Sequence, residues 1–410
     1  MANQLLTLVD ITREAARVLT NNLRMVRGMN RQYEDRFAQE GRKAGDTINI
    51  RKPPRYKGRR GEQVQVEGST ETYVPLALNP LYGCDIQFST TDLTLSIDDF
   101  SRRFIVPQVA TVVNMIDFDA CQLYKTVHNY RGIVGAGSGV GNYTSASVLS
   151  CGVTLNEEAT PQDGQRNLVI SPLAEATFVE NFKSLFNPVN TIASQFKGGA
   201  MGTALNFNFA MDQNIAVHTS GTATGSGTTS AAVANGATSV ALTGLGIGSG
   251  AATCTLKKGD ILEFTGVYAV NPQSRQRNSY LRTCVVTDES VTLTGGAGTV
   301  NVSPALYYTG QFQNCDVQIA SSTAVTVRSN ASTAGVSTQN MAFHPDAFTF
   351  ASVPLELPGG VDMAARQEHE GVSVRLVRQY DINSNNLVTR LDILAGFATV
   401  YPELAVRLQN

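Results

Sequence analysis

The stretch SIDDFSRRFIVPQVATVVNMIDFDACQLYKTVHNY, residues 96–130, decides the fold. Ser96, Asp98 and Asp99 can accept hydrogen bonds from the backbone N–H groups left free where a helix begins. Pro107 fits the first turn of a second, longer helix, because deeper inside it would break the hydrogen-bond ladder. From there Val109, Val112, Val113, Ile116, Ala120, Leu123 and Val127 recur at steps of three and four. They form one apolar stripe on a helix expected to run to Tyr130. No other stretch holds so long a helical pattern, and its flanks read as strands. A single long helix among sheets is a scaffold element, not a catalytic centre.

Upstream, residues 1–45 read as a helical arm, with Ala15, Ala16, Leu19, Leu23 and Val26 at helical spacing. The stripe is thin, so the arm needs a surface to pack on, in its own chain or in a neighbouring copy. Thr47–Ile50 and Tyr73–Leu78 read as two strands of an extended hairpin loop over residues 46–80. Between them RKPPRYKGRR places Arg51, Lys52, Arg55, Lys57, Arg59 and Arg60 together with no acid, followed by Glu62, Glu67 and Glu71. A structureless loop of this length inside a compact domain would be unusual, so it is expected to project. Three roles compete: a solvated loop, a basic finger that reaches an acidic patch on a neighbouring subunit, and a nucleic-acid contact. The last lacks stacking partners, since Tyr56 is the only aromatic residue in the run.

Downstream, GIVGAGSGVGN (132–142) does not meet the G-x-G-x-x-G spacing and no G-K-[ST] follows, so it reads as a glycine loop. Asn167–Ile170 reads as a strand, and Ser171–Pro172 opens a helix whose apolar face is expected at Leu173, Ala176, Phe178, Val179, Phe182 and Leu185, ending at Asn187–Pro188. Near residue 218 the chain turns Gly/Ala/Ser/Thr-rich. Short strands then alternate with turns: Thr253–Leu256, KKGD, Ile261–Phe264; Leu281–Thr287, DES, Val291–Thr294. Such spacing indicates a small all-β barrel or sandwich, inserted over residues 219–340. The last stretch holds strands Val372–Val377 and Leu387–Ala395 around a turn at Asn383–Asn386. Arg375, Arg378, Arg390 and Asp392 are expected to share cross-strand charge contacts worth tenths of a kcal/mol.

The 410-residue chain is 42% hydrophobic and 16% charged with net charge −2, which suits a folded core and excludes a polycation built to coat nucleic acid. Cys84, Cys121, Cys151, Cys254, Cys284 and Cys315 are widely spaced and form no C-x-x-C pair, so they read as buried small hydrophobes. Asp10, Arg13 and Glu14 leave no apolar core for a secretory signal. The uncharged run 213–256 is punctuated by Gly, Ser, Thr and Asn, so no membrane span is expected. His128, His218, His344 and His369 occur singly, and neither a metal, a cofactor nor a nucleophile motif is present; no enzyme is expected.

Three segments together resemble the major capsid (coat) proteins of tailed bacteriophages, in the branch with an inserted β domain. They are LTLSIDDFSRRFIVPQVATVVNMID, KKGDILEFTGVYAVNPQSRQ with LRTCVVT, and GVSVRLVRQYDINSNNLVTRLDILAGFATVYPELAVRL. The resemblance implies an α+β phage capsid fold: an N-terminal arm (1–45), an extended loop (46–80) lying over the adjacent subunit, and a peripheral domain with the spine helix plus part of the axial domain (81–218). It further implies an inserted barrel (219–340) and the remainder of the axial and peripheral domains (341–410). It implies a virion protein, assembled in the host cytoplasm with a scaffolding protein and a portal, whose copies form hexamers and pentamers of an icosahedral shell around double-stranded DNA. Inserted domains in such relatives carry a charged bridging loop, whereas residues 219–256 here have no charge, which puts salt-linked bridging by that stretch in doubt.

Overall fold

The computed structural model describes residues 23–32, 47–58, 61–64, 66, 68–89, 106–132, 143–182, 202–246, 253–328, 335–369, 372–383 and 385–409. They fall into two compact units. The first draws on residues 1–50, 73–121 and 348–400, the second on 51–72, 122–347 and 401–410.

Helix α1, Val106–Cys121, lies in the first unit. Its expected stripe is buried at Val109, Val112, Val113, Ile116 and Ala120. It packs on strands Leu81–Ser89 and Asn386–Thr399. Pro107 is the second helical residue, where a missing N–H costs no bond; Ser96, Asp98 and Asp99 lie outside the described residues. The helix is shorter than the periodicity predicts. Residues Gln122–Thr126 tighten into a 3₁₀ turn, in which the Thr126 hydroxyl donates to the Leu123 carbonyl (2.7 Å), and Tyr130–Gly132 is a strand. Part of the arm packs on its own chain: Leu23, Met25, Val26 and Met29 are buried, and Met25 N donates to Asp117 Oδ1 (3.2 Å). That segment holds a 3₁₀ turn at Val26–Gly28 and not the expected α-helix; Ala15, Ala16 and Leu19 lie outside the described residues.

The sheet beside α1 has five antiparallel strands. Phe348–Val353 and Leu81–Ser89 pair end to end along Asn386–Thr399, then come Val372–Asp381 and Met363–His369. Alternation along Asn386–Thr399 turns Leu391, Ile393 and Ala395 to one face, all buried. Gly396 is required by a close approach, since a Cβ there would sit 2.3 Å from the Ala77 carbonyl oxygen. Asp392, on the opposite face, is 0% exposed and takes Arg375 Nη2 at 2.5 Å and Arg390 Nε at 2.6 Å. Arg378 does not join them. It lies three residues from Arg375, hence on the other face, and its Nη2 meets Met363 Sδ at 2.9 Å.

In the second unit a seven-stranded sheet runs Tyr130–Gly132, Ala405–Gln409, Val336–Phe343, Asn167–Ile170, Phe207–Met211, Thr203–Ala204, with Val217–Thr219 also on Val336–Phe343. Two helices cover it, α2 (Ser145–Glu157) and α3 (Pro172–Phe182). Val148, Cys151 and Leu155 from α2 and Ala174 and Phe178 from α3 share a core with Leu168, Ile170, Phe207, Ala342, Val406 and Leu408. The sequence reading misses α2, although Thr144 caps it by accepting from Ser147 N (3.3 Å). It also rotates the face of α3: Ala174, Thr177 and Phe178 are buried, whereas Leu173 and Ala176 are exposed. The end expected at Asn187–Pro188 and most of the glycine loop, 133–142, lie outside the described residues.

Six antiparallel strands close a barrel in the order Ala237–Thr243, Gly298–Leu306, Arg277–Val286, Ile261–Val270, Ala324–Val327, Ser226–Thr229. Its core is Val240, Leu242, Leu262, Phe264, Cys284, Val286, Val300, Val302 and Val325, among others. The strands flanking KKGD do not pair with each other; Cys254–Lys257 pairs with Ser290–Leu293, and Ile261–Val270 with Arg277–Val286. The six cysteines are free, and all but Cys84 are buried. No helix among the described residues is long and apolar enough to cross a membrane.

Because Asp392 is fully buried, its loss should exceed the tenths expected of an exposed pair. In urea unfolding, Asp392→Ala should cost roughly 2–3 kcal/mol. A change within tenths would mean that the arginines reach water when the carboxylate is gone.

Candidate functional site

The basic loop starts from strand Thr47–Lys52 and returns through Thr72–Ala77, which pair as a two-stranded sheet. Its base is clamped within the second unit. Arg55 Nη2 meets Glu403 Oε1 at 2.6 Å, and the Lys52 ammonium lies 4.9 Å over the Tyr401 ring. Burial lowers the Lys52 pKa, Glu403 draws it back up, and Arg55 adds to the fall. Arg51 is largely exposed and 3.8 Å from Glu71. Across the loop the Gln311 amide, with its nitrogen turned inward, donates to Arg55 O (3.2 Å) and Gly68 O (2.9 Å) and accepts from Thr70 Oγ1 (3.1 Å). Tyr56 and Ser69 hydroxyls approach to 3.4 Å.

Beyond that clamp the loop opens. Lys57 is exposed, and Val64 and Val66 are 73% and 92% exposed in the alternating run QVQVE. Arg59 and Arg60 lie outside the described residues. Arg51, Lys52 and Arg55 are thus gathered against Glu71, Tyr401, Glu403 and Gln311. Charge alone predicts that these cations need acids, but Glu403 stands 348 positions from Arg55 and no local signal points to it.

The histidines prove less isolated than the sequence suggests. His218 Nε2 is 2.8 Å from Asp260 Oδ1, and Tyr124 Oη is 3.0 Å from His218 Nδ1. An acid–imidazole–hydroxyl chain of this kind can relay a proton at an open site. Here all three are buried, and Asp260 Oδ2 is occupied by the backbone N–H groups of Gly221 (3.1 Å) and Lys257 (2.8 Å). Burial pushes the Tyr124 phenol up to about 12, with Arg407 lowering it and Asp260 raising it. The chain acts as a clasp that ties the KKGD turn to the strand Val217–Thr219 and to the 3₁₀ turn Gln122–Thr126. His344 lies between Asp163 (3.1 Å) and Asp346 (3.5 Å). No group of His, Cys, Asp and Glu among the described residues is arranged to hold a metal.

A second polar junction joins α2 to the barrel. Glu157 Oε2 accepts from Ser279 N (3.1 Å) and Oγ (2.9 Å), and its carbonyl accepts from Asn271 Nδ2 (2.6 Å). Next to it, Tyr280 donates to the buried Glu158. Burial pushes Glu158 up to about 7, against Arg282 and the Tyr280 hydrogen bond, which pull it down.

In the helix-and-sheet body and the closed barrel, the charged groups described above hold segments of chain together. The family is fixed by sequence. The profile described as "P22 coat protein - gene protein 5" matches residues 193–409, more than half of the chain, which therefore belongs to the P22 coat protein family of phage structural proteins. Among solved structures it is similar to one of Mycobacterium phage Che8 (12% identity over 94% of this chain and 90% of that one, TM-score 0.47). It is also similar to the capsid of Ralstonia phage GP4 (8% identity, 90% and 84% covered, TM-score 0.44). A third similar structure is the mature capsid of bacteriophage PhiM1 (9% identity, 88% and 82% covered, TM-score 0.42). No curated protein sequence matches it.

Two outcomes follow. A carboxyl whose folded pKa is raised holds its proton in the native state after the unfolded chain has lost it. Its contribution is complete below the unfolded value of about 4.5 and fades as pH rises through about 7. The melting temperature of Glu158→Gln, relative to the native chain, should therefore climb over that window; a flat difference would mean an ordinary carboxylate. For the Arg55–Glu403 pair, partly open to water, a double-mutant cycle should give a coupling of about 1 kcal/mol or less that shrinks with added salt. A coupling that salt leaves unchanged would place the pair in a dry site.

Proposed function

We propose that the chain is the major capsid subunit of a tailed-phage head, whose copies associate into hexamers and pentamers and close an icosahedral shell around double-stranded DNA. The match of residues 193–409 to the P22 coat protein family carries this reading. The basic loop supports it. Clamped at its base and open beyond, with Val64 and Val66 exposed, it is suited to lie over an adjacent copy, where those side chains would be covered and Lys57, Arg59 and Arg60 would meet acidic groups. On this reading 1–45 is the arm, 46–80 the extended loop, and 219–340 an insertion into peripheral and axial domains formed by 81–218 and 341–410. A scaffolding protein and a portal would take part, assembly would occur in the host cytoplasm, and DNA would be held by weak, non-specific contact. That loop as a primary nucleic-acid site is the weaker reading, because Lys52 and Arg55 are already engaged by Tyr401 and Glu403.

Electron microscopy of the expressed chain, with its scaffolding partner where one is needed, should show closed shells or rings of five and six copies. Monomers under both conditions would defeat the proposal. Replacing Arg59 and Arg60 together by Glu should suppress assembly and leave the circular dichroism of the monomer unchanged; an unfolded variant would place the loop in the core.

A further inference from the structure

The extended loop is gripped by the barrel as well as by Tyr401 and Glu403. Residues 51–72 group with the barrel in the second unit, whereas residues 1–50 and 73–121 belong to the first. One barrel residue reaches both legs of the loop. The Gln311 amide nitrogen donates to Arg55 O on the outgoing leg (3.2 Å) and to Gly68 O on the returning leg (2.9 Å), and its oxygen accepts from Thr70 Oγ1 (3.1 Å). Three bonds to one planar group fix the spacing of the legs where the pairing of Thr47–Lys52 with Thr72–Ala77 has ended. Gln311 is itself braced. It follows strand Gly298–Leu306, in a segment tied down where Cys315 N donates to Tyr307 O (2.9 Å) and Tyr268 N to Asp316 Oδ1 (2.8 Å). Arg275 Nη2 donates to Gln311 O (2.5 Å) and its Nη1 to Gln313 O (3.4 Å). Arg275 does so from φ +57, a left-handed conformation seldom adopted by a long side chain. Strain of that kind persists where the surroundings fix it, and here it delivers a guanidinium to the carbonyl of the residue that spans the loop.

The chemistry at that point calls for a carboxamide. Two carbonyls need two N–H donors, a donating hydroxyl needs an acceptor, and one amide supplies both. Glutamate in its place would set acceptors against acceptors, and alanine would leave the legs untied. The contact also lies at the base of the loop, where leverage is greatest. About six residues of chain reach at most about 20 Å, so a rotation of about 10° at Arg55 would carry the tip about 3 Å, the length of a hydrogen bond. Arg55 is held twice, at its guanidinium by Glu403 and at its carbonyl by Gln311. The first contact is an ion pair that salt weakens, whereas the second is neutral and keeps its strength.

We propose that the inserted barrel aims the extended loop, with Gln311 as the positioning residue and Arg275 as its brace. The insertion thereby sets the direction in which the loop leaves its own subunit. The consequence for assembly rests on the reading that the loop lies over an adjacent copy: its direction then fixes the angle between neighbours and hence the curvature of the shell. A barrel acting inside its own subunit needs no charged bridging loop, in keeping with the absence of charge from residues 219–256.

The test has two arms, one on the free full-length subunit and one on particles. In the first, spin labels at Val64→Cys and Ser239→Cys, both exposed positions, report the distance from loop to barrel by electron paramagnetic resonance. A Cys84→Ala background removes the one native cysteine that is not buried. With Gln311 in place the labels should give one narrow distribution. Gln311→Glu and Gln311→Ala should each lose it, with melting temperature and circular dichroism unchanged. A broad distribution with Gln311 in place overturns the proposal, as does a narrow one in both variants. If Gln311→Glu does not fold, Gln311→Ala, which adds no charge, decides. In the second arm, electron microscopy of particles formed with the scaffolding partner should show shells of shifted or mixed diameter for the variants. Shells of native diameter from chains whose loop has lost its narrow distribution overturn the link to curvature. If the native chain forms no shells, the assembly reading falls, and the label distances alone decide whether the barrel aims the loop.

Discussion

Arg407 has no contact with solvent, and much of the second unit is arranged to give its guanidinium something to bond. One arm of the fork reaches Val127 O and another Gly259 O at 2.7 Å, while its plane faces the Tyr124 ring with 5.2 Å to the centroid. Burial draws its pKa down, and Tyr124 and Asp260 draw it back up. The turn that supplies Gly259 O depends on a glycine at φ +98, and the next residue, Asp260, closes the turn and grips His218. A chain end, a barrel turn and the segment that follows α1 are thus joined through two adjoining buried charges. Remove either and the other loses an opposite charge in the interior, a costlier change than the loss of a surface pair.

What the sequence reveals and conceals follows from the reach of each interaction. The stripe on α1 is legible because Val109, Val112, Val113 and Ile116 repeat at the period of the helix itself. Its end is not, because a strand formed with residues 405–409, far off in sequence, competes for Tyr130–Gly132 and wins. In α2, Gly152, three β-branched residues and three serines mask a periodicity that burial shows clearly at Val148, Cys151 and Leu155. The barrel is foreshadowed by its turns, whereas its strand partners are set by closure of the whole ring. The basic residues of the loop are conspicuous, yet Glu403, Tyr401 and Gln311, which hold its base, carry no mark in their own surroundings.

Buried charge also specifies register. On Asn386–Thr399 a slip of one residue would send Asp392 into the face now filled by Leu391, Ile393 and Ala395, and would withdraw it from Arg375 and Arg390. Apolar alternation already penalises that slip, and a carboxylate among aliphatic side chains adds a further penalty. The same holds for Gly396, where the close approach of the Ala77 carbonyl admits no side chain. A protein with few charges has placed several of them where misalignment would be least tolerated.

The closed barrel has a bearing on life at high density. An open sheet edge at high protein concentration invites strand addition by the wrong neighbour. Along its ring of six strands every strand has partners on both sides, so the barrel offers no backbone template of that kind. Whatever approaches it must do so through turns and side chains, whose chemistry can be selective. Closure therefore gives a β-rich element no strand edge on which disordered aggregates could nucleate.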